Sequence, residues 1–334
     1  MSDRPRQPPV PLGLVAYFDR LTEATARGWD RFWFTPSDPI VLGLIRIWTG
    51  LMLVYTHVVW GLRLPEFLGP LSFLQGVPLA NEYGGAWASF WWYVPAAWTA
   101  TIHWGCVAIL GLFTLGVSTR VTSVLAWLIA VSYANRLFYA TFGLDQTNAM
   151  LTLYLAIAPS GDALSVDQWR RAKRSGDSRA AAPPSIGANL GLRLIQVNMC
   201  VVYFFAGIAK LEGESWWSGY AMWQAFANYE YQTLDLTWLA PHTYVWNIAT
   251  HVTIVWEISF CTLIWFPLLR PLVLAGAILL HLGIGLALGM WTFGLIMLVG
   301  CAAFLSPVLV RHWLGCEQLR SPPVDMLSSG DELC

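Results

Sequence analysis

The sequence predicts an all-α fold, a polytopic integral membrane bundle of about eight transmembrane helices. Three observations carry that expectation. Of the 334 residues, 56% are hydrophobic and only 12% are Asp, Glu, Lys or Arg. Apolar stretches of the roughly 20 residues needed to cross a bilayer core recur along the chain, and basic residues collect on alternate connections between them. Soluble domains carry about 25% charged residues, so a chain with half that share and twenty Trp has too little polar surface for water. A cytosolic enzyme, a disordered chain and a nucleic-acid binder are excluded, and a net charge of −1 leaves no electrostatic footprint for a polyanion.

In chain order, residues 1–38 form an N-terminal segment that is cytoplasmic and partly amphipathic, with Leu14, Tyr17, Phe18, Leu21 and Trp29 set among charges. That pattern suits the inner membrane surface. The transmembrane bundle spans 39–310, in stretches at 39–60, 98–117, 122–142, 148–159 (extended a few residues toward its start), 190–209, 244–266, 272–289 and 292–310. Between the first two, residues 62–97 are rich in Pro, Gly and aromatics. Trp87, Trp91, Trp92 and Tyr93 have the amphipathic rings favoured at the membrane interface. A hydrophilic linker at 160–188 splits the bundle four plus four; its cluster of Arg170, Arg171, Lys173 and Arg174 reads first as a solvated cytoplasmic loop and second as a contact for anionic lipid. Residues 311–334 form a short cytoplasmic tail.

Orientation follows from the basic residues. Fourteen of the nineteen Lys and Arg fall on one side and Arg63 alone on the other, while Arg46, Arg136, Arg193 and Lys210 lie within or at the ends of spans. By the positive-inside rule both termini are cytoplasmic.

Ionisable residues inside spans are costly and are functional candidates by default. Arg46 and Arg193 lie near cytoplasmic ends, where long side chains snorkel to the headgroups. Arg136 lies near the outer face, where an ion pair with Asp145 and a substrate role are equal alternatives. Lys210 ends an apolar run at the outer surface; it is either an interfacial anchor beside Trp216 and Trp217 or a lysine whose desolvation makes it a base. Glu257 needs a proton or a partner inside the bundle. His57 and His103 read as packing histidines, and His281 lies in a further span. Cys106, Cys200, Cys261 and Cys301 stand alone in apolar runs, so no metal-site spacing is present.

The run from Arg193 to Tyr220, with Gln196, Tyr203, Ala206-Gly207, Lys210-Leu211, Trp217 and Gly219-Tyr220, resembles the signature segment of the vitamin K-dependent gamma-carboxylase family and its bacterial relatives, the horizontally transferred transmembrane (HTTM) domain proteins. Arg46, Ser165-Val166-Asp167, and His281 followed by Phe293 and Met297-Leu298 add to the likeness, which covers most of 38–307. The resemblance implies a bacterial cytoplasmic membrane and a lyase-type reaction, with reduced naphthoquinone, oxygen and carbon dioxide as cofactors or co-substrates. Lys210 matches the general base and His281 a residue that orients or stabilises charge. Arg136, Asn148, Tyr203, Glu257 and Trp217 are the residues expected to line the cofactor site. Asp145-Gln146-Thr147-Asn148 stands where the carboxylases begin their fourth span with a histidine, and Ile284 replaces a polar residue three positions after His281. The alternative is a non-catalytic maturation or assembly factor for a secreted peptide or membrane complex, with membrane lipid the common partner of both readings.

Overall fold

The computed structural model describes residues 13–69, 88–176 and 182–315; the expectations for residues 1–12, for 70–87 with Trp87, for 177–181 of the linker and for the tail beyond 315 fall outside them. Among the described residues the chain is helical throughout, without a named strand. The principal helices are α1 Leu14–Phe34, α2 Ile40–Leu62, α3 Thr99–Leu115, α4 Thr119–Arg136 and α5 Gly143–Ile157. They continue with α6 Val166–Ser175, α7 Ile186–Lys210, α8 Thr243–Leu263, α9 Arg270–Leu288, α10 Trp291–Cys301 and α11 Pro307–Trp313.

Local chemistry sets the boundaries. The Asp38 carboxylate accepts from the Ile40 amide at 2.9 Å and opens α2. It also binds the Arg311 guanidinium at 2.6 and 2.9 Å, tying the first span to α11. Ser165 and Ser185 cap α6 and α7 by accepting from Gln168 and Ala188, the hydroxyl satisfying an otherwise orphaned N–H. Pro271 occupies the first turn of α9, where its missing N–H costs nothing.

Each of the eight expected stretches contains a helix, but they are not equivalent. Residues 40–62, 96–115, 186–210 and 270–288 are long and apolar enough to cross a membrane, and the pair 291–304 and 307–313 makes a fifth if it counts as one span. That pair is bent by 117°, so the stretch at 292–310 is not one continuous helix. Pro307 cannot donate to the preceding turn and pushes Ser306 out of the helical region. The stretch at 122–142 likewise ends its helix at Arg136, and the 148–159 stretch begins at Gly143. α8 is long enough but carries Asn247, His251 and Glu257, which lower its apolarity.

α2 packs along α3, α4 along α5, α7 along α8 and α9 along α10, while α10 also touches α2, α5 and α7 and so joins the two halves. Ile45, Leu110, Phe113, Leu155, Ile195, Met199, Phe260 and Ile296 belong to one apolar core running through both. α1 buries none of its residues. Only its C-terminal end docks: Asn189 donates to the carbonyls of Phe32 and Trp33, both at 2.8 Å.

The two arginines expected to snorkel do not. Arg46 is fully buried, and its guanidinium donates to the carbonyls of Ser160, Ala163 and Leu164. Arg193 donates to Phe32 O and Gln196 Oε1 and lies 4.3 Å over the Phe32 ring. Three carbonyls outside any helix ladder hold Arg46, and the last-turn carbonyl of α1 with a side-chain amide oxygen holds Arg193, so each guanidinium has acceptors nearer than a headgroup.

Candidate functional site

The densest polar cluster in the second half is built on α7, α8 and α9. Lys210 is the last residue of α7 and Glu257 lies two-thirds along α8; Nζ and Oε2 stand 2.6 Å apart. Glu257 is buried, while the Lys210 side chain keeps 21% exposure. Gly207 makes this contact possible. A Cβ there would come within 2.7 Å of the Ile258 side chain and 3.2 Å of Glu257 Cβ. Only a residue without a side chain lets the backbones approach so closely, as in other small-residue contacts between membrane helices. The Lys210 ammonium also lies 5.2 Å over the Trp216 ring, a cation–π contact strengthened by partial desolvation.

Two turns before Lys210 on α7, and so about 10 Å deeper along the helix, Tyr203 is buried with its hydroxyl 2.6 Å from His281 Nε2 on α9. Cys301 Sγ lies 3.4 Å from the same hydroxyl. Trp256 and Phe260 pack on the Tyr203 ring at 5.1 and 4.2 Å, one on either side of Glu257 in the sequence. Two polar pairs, Lys210–Glu257 and Tyr203–His281, thus stand two turns apart along α7 beside aromatic rings, and together make up the Lys210 string. The far nitrogen of His281, Nδ1, is buried without a hydrogen-bond partner, an expensive state for a polar atom.

Beside Lys210 the chain turns through Glu214–Trp217 and Ala221–Phe226. Gly219 takes φ +79°, a left-handed conformation that glycine adopts without steric cost, and its carbonyl accepts from Thr250 at 3.0 Å. Next to this turn is a cleft of about 250 Å³ lined by Gly219, Tyr220, Thr243, Tyr244, Asn247 and Ile248.

Of the seven expected site residues, the structure pairs Lys210 with Glu257 and Tyr203 with His281. Trp217 is 64% exposed and donates its indole N–H to Leu211 O, whereas Trp216 faces the lysine. Arg136 and Asn148 belong to helices of the first half. Arg136 lies 4.5 Å over the Trp92 ring. The Asp145 carboxylate accepts from the Phe142 amide at 3.0 Å and caps its own helix. Asn148 is buried, and neither of its side-chain amide atoms has a hydrogen-bond partner.

Sequence reasoning missed a second cluster, centred on Tyr133. Its hydroxyl lies 2.6 Å from His103 Nδ1, Trp60 stacks on its ring at 5.4 Å, and His57 meets it edge-on at 4.3 Å. His57 and His103 thus pack as expected, but against a tyrosine that no spacing pattern marked. Among the described residues no group of three or more His, Cys, Asp or Glu is placed to hold a metal ion.

With this geometry in view, comparison with known proteins is informative. Residues 34–308 match the HTTM domain. The chain belongs to the HTTM domain family. A Bacillus subtilis relative described as "Uncharacterized protein YitO" is 26% identical over 214 residues, covering 62% of this chain and 67% of YitO. No solved structure matches. The HTTM domain contains every residue of the Lys210 string and leaves nearly all of α1 outside. Taken with the apolar helices, it marks the chain as an integral membrane protein.

Proposed function

We propose that this HTTM protein spans a bacterial cytoplasmic membrane eight times with both termini inside, and that its Lys210 string accepts a proton from a lipid-soluble hydroxyaromatic molecule, with a reduced naphthoquinone as the representative ligand. The observation that carries the reading is the Lys210–Glu257 pair, 2.6 Å apart at the end of an aromatic-walled string. In such a pair the carboxylate is the proton acceptor. The ammonium offsets the buried carboxylate's charge and stabilises the negative charge left on a deprotonated hydroxyl.

The donor set fits a quinol. Flat rings of Trp216, Trp256 and Phe260 flank the string, and the unpartnered Nδ1 of His281 offers a polar contact to a hydroxyl. A bound quinol would supply acidic hydroxyls and reducing equivalents. The chain's own residues hold its oxygens and exclude water, and Tyr203 fixes the orientation of His281 through its 2.6 Å contact.

The test is binding of reduced menadione to the protein in lipid nanodiscs, together with oxygen-dependent quinone formation. Native protein should bind and turn over, Glu257→Gln should bind without turnover, and Lys210→Met should lose both. Equal behaviour of all three would sink the reading. A second reading, a maturation or assembly factor for a secreted peptide, is favoured by the cleft between Tyr220 and Tyr244, which are 51% and 63% exposed. It predicts that Tyr220→Ala and Tyr244→Ala disturb function while Glu257→Gln does not.

A further inference from the structure

Outside the Lys210 string, α6 carries four cations in five positions, Arg170, Arg171, Lys173 and Arg174, all exposed. In sequence such a run reads as a solvated loop, but the structure fixes it to the end of the bundle. The Asp167 carboxylate accepts from Ser118 N at 2.9 Å, Thr119 N at 2.7 Å and Thr119 Oγ1 at 2.8 Å. The Asp167 amide donates to Gly116 O at 3.0 Å. Arg171 donates to Gly161 O and to Asp162, both at 3.0 Å. Behind them the buried Arg46 guanidinium gathers the carbonyls of Ser160, Ala163 and Leu164.

These contacts hold α6 level with the α3–α4 turn and the end of α5, at the end of a helix long and apolar enough to cross a membrane. Among the described residues no ion pair neutralises Arg170, Lys173 or Arg174. Trp169 is 62% exposed on the same helix, with the Lys173 ammonium 5.4 Å over its ring. Tryptophan beside basic residues at this depth is the combination that seats in the headgroup layer.

We propose that α6 is a docking surface for anionic phospholipid headgroups, in which Arg170, Lys173 and Arg174 contact the phosphates and Trp169 sits at the acyl boundary. The inference requires only that the bundle is embedded in a membrane, and it stands whatever the Lys210 string does. Charge complementarity and continuity with the membrane-embedded surface favour lipid over a soluble partner, because α6 is tied down beside the bilayer and carries an apolar anchor among its charges.

The experiment compares the native protein with Arg170→Gln/Lys173→Gln/Arg174→Gln, released from mixed phosphatidylglycerol and phosphatidylcholine nanodiscs, by native mass spectrometry of retained lipid. The native protein should retain phosphatidylglycerol preferentially. The triple variant should lose that preference by on the order of tenfold, and Trp169→Ala should lose part of it. Raised salt should weaken the native preference, and replacing chloride by inorganic phosphate at equal ionic strength should leave it unchanged. Thermal unfolding in pure phosphatidylcholine serves as the folding control: among the described residues none of the three substituted side chains makes a hydrogen bond or ion pair outside α6, so native and variant should melt together. Equal retention of both lipids by the native protein, an unaltered preference in the triple variant, or displacement by free phosphate would each overturn the proposal. So would charge-dependent capture of a soluble polyglutamate peptide without any lipid preference, which would assign the surface to an acidic protein instead.

Discussion

Lys210 Nζ and Glu257 Oε2 lie 2.6 Å apart, with the carboxylate buried and the ammonium partly exposed. The arrangement gives Lys210 a buried partner that neither reading of a lone lysine assumed. A lone interfacial lysine would be an anchor, and a lone desolvated lysine a neutral base. A lysine closed onto a buried carboxylate is one half of a charged unit, and neither half is expendable alone.

Truncating one partner leaves the other charge uncompensated, which in buried pairs costs 3–5 kcal/mol. Partial exposure of Lys210 reduces that figure. Glu257→Leu should therefore destabilise the protein by about 2–3 kcal/mol, and Lys210→Met by a similar amount. The double variant Lys210→Met/Glu257→Leu should recover most of the loss. A double-mutant cycle of thermal unfolding in detergent checks this, and strict additivity would mean the two charges do not interact.

Gly207 sets the distance between α7 and α8. Gly207→Ala already brings its Cβ against Ile258 Cγ1, Glu257 Cβ and the Ile258 amide nitrogen, and the two branches of Gly207→Val drive further into the same atoms. Overpacking of this kind costs about 1–3 kcal/mol. A graded loss of melting temperature from Gly to Ala to Val is expected, with loss of the proposed quinol binding only in the larger variant. Equal melting of all three would show that the helices are free to separate.

The bundle was legible in the sequence because apolar length and charge asymmetry are properties of the chain itself, and α2, α7 and α9 emerge close to their expected limits. The break near Ser306 was visible only as a single proline inside an apolar run. Pairing was less legible. Lys210 meets Glu257 through the register of two helices joined by a long connection, and nothing local distinguishes Trp216, which faces the lysine, from Trp217, which does not. Tyr133 carried no signal because a tyrosine in an apolar span is ordinary packing until two histidines are brought to it.

Arg46 gathers three carbonyls from the connection after α5. Lysine keeps the charge but has a single donor group that cannot span that fork. Arg46→Lys should cost at least about 2 kcal/mol and loosen the attachment of α6, read as faster hydrogen exchange at the amides of Leu164 and Asp167. Unchanged exchange would mean that the connection holds without the arginine.

Asp167 gives the attachment of α6 a pH dependence with a definite sign. Its partial burial pushes toward the neutral acid, but the hydrogen bonds from Thr119 and Ser118 and the nearby Arg171 charge outweigh it and hold the carboxyl below the ordinary carboxylate range. A depressed folded-state pKa stabilises the protein at every pH above the unfolded value of about 3.9, and that contribution is lost as pH falls through the folded value. Asp167→Asn lacks the titration and keeps only part of the hydrogen bonding. Native protein should therefore melt above the variant by a constant margin near neutrality, equivalent to about 1–3 kcal/mol, and the margin should close below about pH 4. Thermal unfolding of both in detergent across that range measures the margin directly, and the other carboxylates cancel in the comparison. A margin that persisted undiminished at low pH would show that the side chain acts by shape and not by charge.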